Sequence, residues 1–162
     1  LGELLRLPAE ALEFGYRKSR LQTEPWIVAG IEMELQPSEA ERVLALMAHN
    51  QYLRELKQPL AFPSTGSVFK RPPGKYVGPM VEGLGLKGYR IGGAMVSEKH
   101  AGFIVNAGNA RASDVLRLIQ HIRELVRSKY DVWLETEVRI LGDDALPGEL
   151  ASYSELGQVA PA

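Results

Sequence analysis

Eight prolines and glycines fall between residues 59 and 79, namely Pro59, Pro63, Gly66, Pro72, Pro73, Gly74, Gly78 and Pro79. No other feature limits the fold as strongly. Proline removes a backbone donor and fixes φ, and glycine weakens any regular element, so neither a long helix nor a central strand passes through this run. Residues 59–100 show no sustained period and read mostly as turns, with one short helix over residues 79–84.

Periodic segments flank this stretch on both sides. In WIVAGIEMELQ, residues 26–36, Ile31, Met33 and Leu35 alternate with Glu32 and Glu34, which predicts a strand. Pro8 opens a short helix over residues 9–13. Ser38 and Glu41 have capping-box spacing, and the helix they start carries Val43, Leu44, Leu46, Met47 and Leu53 before Pro59 stops it. Beyond the broken stretch, AGFIVN (101–106) predicts a short apolar strand. The spacing of Val115, Leu118, Ile119, Ile122 and Val126 predicts a helix over 111–129. In DVWLETEVRIL (131–141), Val132, Leu134, Val138 and Ile140 share one face and Trp133, Glu135, Glu137 and Arg139 the other. The order strand, helix, long loop, strand, helix, strand predicts an α+β (α/β-like) fold with a small mixed sheet and two main helices. Residues 143–162 are small and polar and read as a flexible tail.

Composition narrows the chemistry. There is no cysteine, which excludes disulfides and thiolate catalysis, and the three histidines, His49, His100 and His121, are too scattered to suggest a zinc site; no metal is expected. No apolar run approaches the roughly 18–20 residues of a membrane span. The opening LGELLRLPAE is not a secretory signal, and a start on Leu1 rather than methionine predicts a piece cut from a longer polypeptide. Charge is unevenly placed. Residues 1–53 carry five bases and eight acids (−3), 54–99 eight bases and three acids (+5), and 100–162 six bases and nine acids (−3). The basic middle also holds eight of the sixteen glycines. Two readings are open there: a local anion site, or a solvated loop region; a nucleic-acid surface is not indicated.

Four segments stand out as candidate chemistry. GLGLKG, with Gly83, Gly85 and Gly88, fits G-x-G-x-x-G but lacks the preceding strand and following helix of a dinucleotide fingerprint. In PSTGSVFKRPPG, Ser67 is either a turn hydroxyl or a hydroxyl held against a substrate by a rigid frame. No elbow or partner base marks it as a nucleophile, but a positioned hydroxyl can protonate a basic carbanion or enolate. In FGYRKSRLQ, Arg17 either pairs with a surface carboxylate or presents its planar fork to a carboxylate substrate. LETEVRILG is by default a half-exposed strand with a charged face.

Taken in order and spacing, FGYRKSRLQ, KQPLAFPSTGSVFKRPPG, GLKGYRIGGAMVSEKHAGFIVNAGNA and LETEVRILG resemble the UDP-N-acetylenolpyruvoylglucosamine reductase (MurB) family over about residues 14–142. SVFKRPPG and SEKHAGFIVN resemble its shorter subtype. The resemblance implies an oxidoreductase, a flavoprotein using FAD with NADPH as co-substrate. It reduces UDP-N-acetylglucosamine enolpyruvate to UDP-N-acetylmuramate in the cytoplasm, for peptidoglycan and hence cell shape and division. By position it implies Arg17, Ser67 and Glu137 as catalytic residues, Ser67 being the proton donor, and Tyr16 near the flavin. Arg54, Lys57, Lys70, Arg71, Lys87 and His100 fall where the family binds its UDP-sugar. It further implies that residues 1–36 are the end of an FAD-binding domain and 37–142 a substrate-binding domain. Only sixteen residues precede Arg17, so the N-terminal FAD domain is missing and the fragment is expected to be inactive alone. The alternative is a UDP-sugar-binding module without catalysis.

Overall fold

The computed structural model describes residues 2–140, so the tail expected over 143–162 and the end of the last predicted strand lie outside the described residues. The chain divides into two compact units, Leu1–Glu39 and Ala40–Ala162.

The first unit is built from turns. Short 3-10 helices span Ala9–Leu12 and Arg20–Gln22. Arg20 gathers the unit: its guanidinium lies 4.8 Å from the Trp26 ring centroid, donates to the Ala11 carbonyl at 3.3 Å and pairs with Glu24 at 3.2 Å. The strand expected over 26–36 does not form. Its apolar face, Ile31, Met33 and Leu35, is 77%, 72% and 79% exposed. A strand exists only by hydrogen bonding to a neighbour, and no described segment pairs with this one, so alternation alone does not make it regular.

The second unit opens with helix α1, Ala40–Lys57, none of whose residues is buried. Four strands follow: β1 Ser64–Ser67, β2 Arg90–Ile91, β3 Ala94–Val96 and β4 Phe103–Asn106, in the spatial order β1-β4-β3-β2, every pairing antiparallel. Helix α2, Val77–Gly83, lies between β1 and β2 in sequence, and α3, Ala112–Tyr130, follows β4. The result is the expected α+β fold, but the sheet is wholly antiparallel where the sequence predicts a mixed one, because the short turns between β2, β3 and β4 can only join antiparallel neighbours. The breakers at 59–79 work as predicted: β1 is only four residues long and a register shift separates Ser64 from Ser67.

The α3 stripe supplies one wall of the core. Leu118, Ile119, Ile122 and Val126 are at most 1% exposed and pack with Val68, Val81, Val96 and Leu134. Each such side chain contributes about 1.5–3 kcal/mol by leaving water. Asp114, three residues after the N-cap Arg111, accepts the Arg111 N–H at 3.0 Å and the Gly93 N–H at 3.2 Å, tying the start of α3 to the β2–β3 turn. After α3 an arm runs over residues 131–140. Its predicted alternation is observed, with Leu134 and Thr136 buried and Trp133 and Glu135 exposed, but its only ladder contact is an isolated antiparallel bridge between Phe69 and Thr136. Trp133 is clasped by Arg123 and Arg127 of α3, 4.1 and 5.1 Å from its ring centroid, which anchors the beginning of the arm. Among the described residues no helix is long and apolar enough to cross a membrane.

Candidate functional site

Ser67 ends β1, exposed, with Phe103 of β4 as its backbone partner. The residue after it is held by both neighbours. Val68 N–H donates to the Gly102 carbonyl at 3.0 Å, and Glu137 N–H donates to the Val68 carbonyl at 2.8 Å. One turn of the ladder further, Lys70 N–H donates to the Glu135 carbonyl at 2.9 Å. Ser67 and Glu137 are therefore brought to adjacent backbone segments, although seventy residues of sequence separate them. The anchors are apolar: Val68, Phe69 and Leu134 are buried beneath them.

His100 stands in the β3–β4 connection, half-buried. Its Nδ1 accepts the Gly102 N–H at 3.1 Å, and its ring meets Phe103 edge-on with centroids 5.0 Å apart. The Ser97 hydroxyl oxygen, buried, accepts the N–H groups of Lys99 and His100 at 3.1 and 3.2 Å and sets the turn. The sequence reading does not single out Ser97 or Gly102. The usable signal is a serine at the end of an apolar run, where its hydroxyl can close a turn on the backbone two residues on.

The cations of the basic segment are not one free patch. Lys70 pairs with Glu135 at 3.0 Å and Lys87 with Glu82 at 2.7 Å. The Arg71 guanidinium lies 3.8 Å from the Tyr76 ring centroid. Arg54 and Lys57 occupy the last turn of α1, where the helix dipole favours cations, and Arg54 donates to Gln58 at 3.3 Å. Exposed pairs of this kind are each worth about 0–1 kcal/mol, so a phosphate can take over either lysine at little cost.

Tyr16 and Arg17 belong to the first unit. They form the tip of a tight turn closed by Gly15 N–H to the Lys18 carbonyl (2.9 Å) and Lys18 N–H to the Gly15 carbonyl (3.1 Å). Arg17 sits there at φ 57°, a left-handed conformation that a residue with a Cβ adopts at a cost.

The GLGLKG run does not form a dinucleotide cradle. Gly83 closes helix α2 instead of opening a helix, and a Cβ on it would lie 2.6 Å from the Tyr130 hydroxyl. The described residues therefore do not fit a flavin diphosphate at this run. Among them, no cluster of three histidines or carboxylates could hold a metal ion either.

Comparison with known proteins matches residues 58–141, more than half of the chain, to the family described as "UDP-N-acetylenolpyruvoylglucosamine reductase, C-terminal domain". The chain belongs to this family. The matched stretch contains Ser67, Lys70, Arg71, Lys87, His100 and Glu137; Tyr16, Arg17, Arg54 and Lys57 precede it. The chain is 48% identical over 143 residues to the UDP-N-acetylenolpyruvoylglucosamine reductase of Listeria innocua, covering 88% of this chain and 48% of that protein. It is 47% identical over 142 residues to that of Staphylococcus epidermidis, covering 88% of this chain and 46% of that protein. The crystal structure of UDP-N-acetylenolpyruvylglucosamine reductase (MurB) from Thermus caldophilus superposes with a TM-score of 0.62 at 38% identity, over 79% of this chain and 45% of that one. The chain thus spans about half the length of the curated relatives it matches.

Proposed function

We propose that this chain supplies the substrate-binding and protonating half of a UDP-N-acetylenolpyruvoylglucosamine reductase. On this reading the enzyme is a cytoplasmic oxidoreductase that makes UDP-N-acetylmuramate for the cell wall. Residues 1–36 close a flavin-binding domain and 37–142 form the substrate domain. The observation that carries the reading is the pair of backbone hydrogen bonds at Val68, to Gly102 and from Glu137, which couples the segment bearing Ser67 to the segment bearing Glu137.

Saturating an enolpyruvyl double bond requires a hydride at C3 and a proton at C2. NADPH and FAD are the redox pair that the resemblance implies. The GLGLKG geometry gives them no diphosphate site here, so on this reading their sites lie mostly outside the described residues, with Tyr16 near the flavin. What the chain's own residues contribute is the proton and the management of charge. The exposed Ser67 hydroxyl donates to C2. Glu137 hydrogen-bonds the enol form, and Arg17 sets fixed positive charge against the substrate carboxylate, where preorganised charge acts most strongly on an enolate. Holding Arg17 in a left-handed turn costs on the order of 1–3 kcal/mol, which favours a functional reason for its placement. Lys70, Arg71, Lys87, Arg54 and Lys57 would bind the diphosphate of the UDP-sugar, Lys70 and Lys87 giving up their pairs with Glu135 and Glu82, and Arg71 oriented by Tyr76.

Two measurements test this. In the full-length reductase carrying this sequence, Ser67→Ala should slow the half-reaction with the enolpyruvyl substrate by roughly 10²–10⁴-fold and leave NADPH oxidation within about twofold. Equal slowing of both would remove Ser67 from its role. The 162-residue chain purified by itself should show no flavin absorbance and no turnover; a stoichiometric bound flavin would contradict the division of labour.

A further inference from the structure

We propose that His100 is a positioning residue for Ser67. By accepting the Gly102 N–H on Nδ1, it fixes the turn whose carbonyl holds the backbone directly after the proton donor. The inference deepens the proposed function and rests on it.

The chain of contacts is short. The His100 Nδ1 accepts from Gly102 at 3.1 Å, and the Gly102 carbonyl accepts from Val68 at 3.0 Å. Val68 follows Ser67 in sequence, and Phe103, which follows Gly102, is the ladder partner of Ser67. Two hydrogen bonds therefore connect the imidazole to the peptide that sets the Ser67 side chain. The packing is as tight as the bonding. A Cβ on Gly102 would lie 3.0 and 3.1 Å from ring atoms Cε1 and Nδ1 of His100, and 4.0 Å from the Ser67 Oγ. The ring is further confined by Phe103 edge-on and by Gly78 of α2, whose Cβ would lie 3.6 Å from Cε1. Ser97 holds the same turn from the other end through the backbone N–H of His100. An imidazole that accepts on Nδ1 carries its proton on Nε2. Its task here is that of an asparagine closing a turn on the N–H two residues ahead. A side chain serving only as a cation or donor for the UDP-sugar would need no acceptor at this atom.

The two nitrogens can be separated by substitution. Asparagine carries its Oδ1 on Cγ, where Nδ1 is attached, and can accept the Gly102 N–H. Glutamine places its amide one bond further out and imitates Nε2. In the full-length reductase, His100→Ala should lower kcat by roughly 10–100-fold with KM changed less than about threefold, because a misplacement of about 1 Å at a reacting group has that effect. His100→Asn should recover most of the lost kcat, and His100→Gln should stay near the alanine level. Recovery by Gln and not by Asn, or a raised KM with unchanged kcat, would make His100 a substrate ligand and overturn the proposal. The bond is also read without catalysis, on the wild-type 162-residue chain. Nitrogen-15 NMR should find the His100 proton on Nε2 and a scalar coupling across Nδ1 to the Gly102 amide; its absence overturns the proposal whatever the kinetics. If the coupling is present but the full-length protein does not reduce the enolpyruvyl substrate, the reductase reading fails while the turn bond stands.

Discussion

Replacing Gly93 with alanine puts a methyl group where the chain already runs. An added Cβ would lie 2.2 Å from the Gly108 carbonyl oxygen and 2.4 and 2.6 Å from the nitrogen and α-carbon of Ala110. All three are backbone atoms, so no side chain can swing aside. The loop they belong to is itself fixed: Asn106 Oδ1 accepts the N–H groups of Gly108 and Ala110 at 3.0 and 3.1 Å. Relief requires moving either this loop or the β2–β3 turn, and the turn is held by Gly93 N–H on Asp114 (3.2 Å) and by Ala107 N–H on the Gly93 carbonyl (2.9 Å). Overpacking usually costs about 1–3 kcal/mol, and losing a charge-assisted hydrogen bond about 1.5–3 more, so the change should remove roughly 3–5 kcal/mol. That is a large share of the about 5–15 kcal/mol by which a typical domain is stable. Gly85→Ala serves as the control. Gly85 has φ 71° and open space around it, so only the left-handed backbone cost of about 1–2 kcal/mol applies. Urea unfolding of the chain and both variants, followed by circular dichroism, separates the cases. With a slope of about 2 kcal/mol/M, the midpoint should fall by roughly 1.5–2.5 M for Gly93→Ala and 0.5–1 M for Gly85→Ala. Equal shifts, or a Gly93→Ala loss below about 1 kcal/mol, would refute the argument that backbone approach fixes this position.

Two further predictions concern the elements beneath the candidate site. Leu134, on the arm that carries Glu137, is fully buried, and Leu134→Ala should cost about 2–5 kcal/mol in denaturant unfolding; a loss under 1 kcal/mol would mean the arm is not packed as described. Asp114 accepts N–H groups from Arg111 and Gly93 and pairs with Arg117, and the Arg111 hydrogen bond leads in holding its carboxyl below the usual range. A depressed carboxylate stabilises the fold above its unfolded pKa of about 3.9, and that contribution disappears as pH falls through the lower folded value. Asp114→Asn should therefore lower Tm at pH 7, with the gap to wild type narrowing below pH ~4; a gap independent of pH would show that charge has no part in it.

The α3 helix was legible because five apolar side chains recur at a spacing only a helix satisfies; four of them, Leu118, Ile119, Ile122 and Val126, lie in the core and Val115 packs against it. The arm over 131–140 was legible in its faces but not in its pairing. Alternation assigned Leu134 inward and Glu137 outward, but it carries no information on which segment bridges to Thr136. Strands β1, β2 and β3 were not legible at all. They are two to four residues long, shorter than any window in which a period can be recognised, and they owe their existence to β4 and α3. For the site, the family resemblance named Ser67, Glu137 and His100. Composition would have stopped at a basic loop, and pairing shows that much of that positive charge is already answered, at Lys70 by Glu135 and at Lys87 by Glu82. Gly102 escaped because its contribution is a missing Cβ, which has no sequence signature of its own; Ser97 offered only the weak signal of a serine ending an apolar run.

The failed strand at 26–36 and helix α1 raise one physical question. Alternating Ile31, Met33 and Leu35 are exposed, and so are Val43, Leu44, Leu46, Met47 and Leu56 of α1. Isolated helices much below 12–15 residues are marginal in water, and even an 18-residue one without Ala-rich sequence draws most of its stability from a packed face. Helix α1 has no such face. Clustered exposed apolar side chains of this kind mark an interaction surface, and the chain spans about half the length of the relatives it matches. The consequence is measurable by amide hydrogen exchange. In the isolated chain, α1 and residues 26–36 should exchange within about tenfold of the free rate, while α3 and β4 should be protected to near the global stability. In a full-length protein of this family carrying the same sequence, protection in α1 and 26–36 should rise toward that of α3. Strong protection of α1 in the isolated chain would mean that it needs no cover, and that its exposed apolar stripe has some other use.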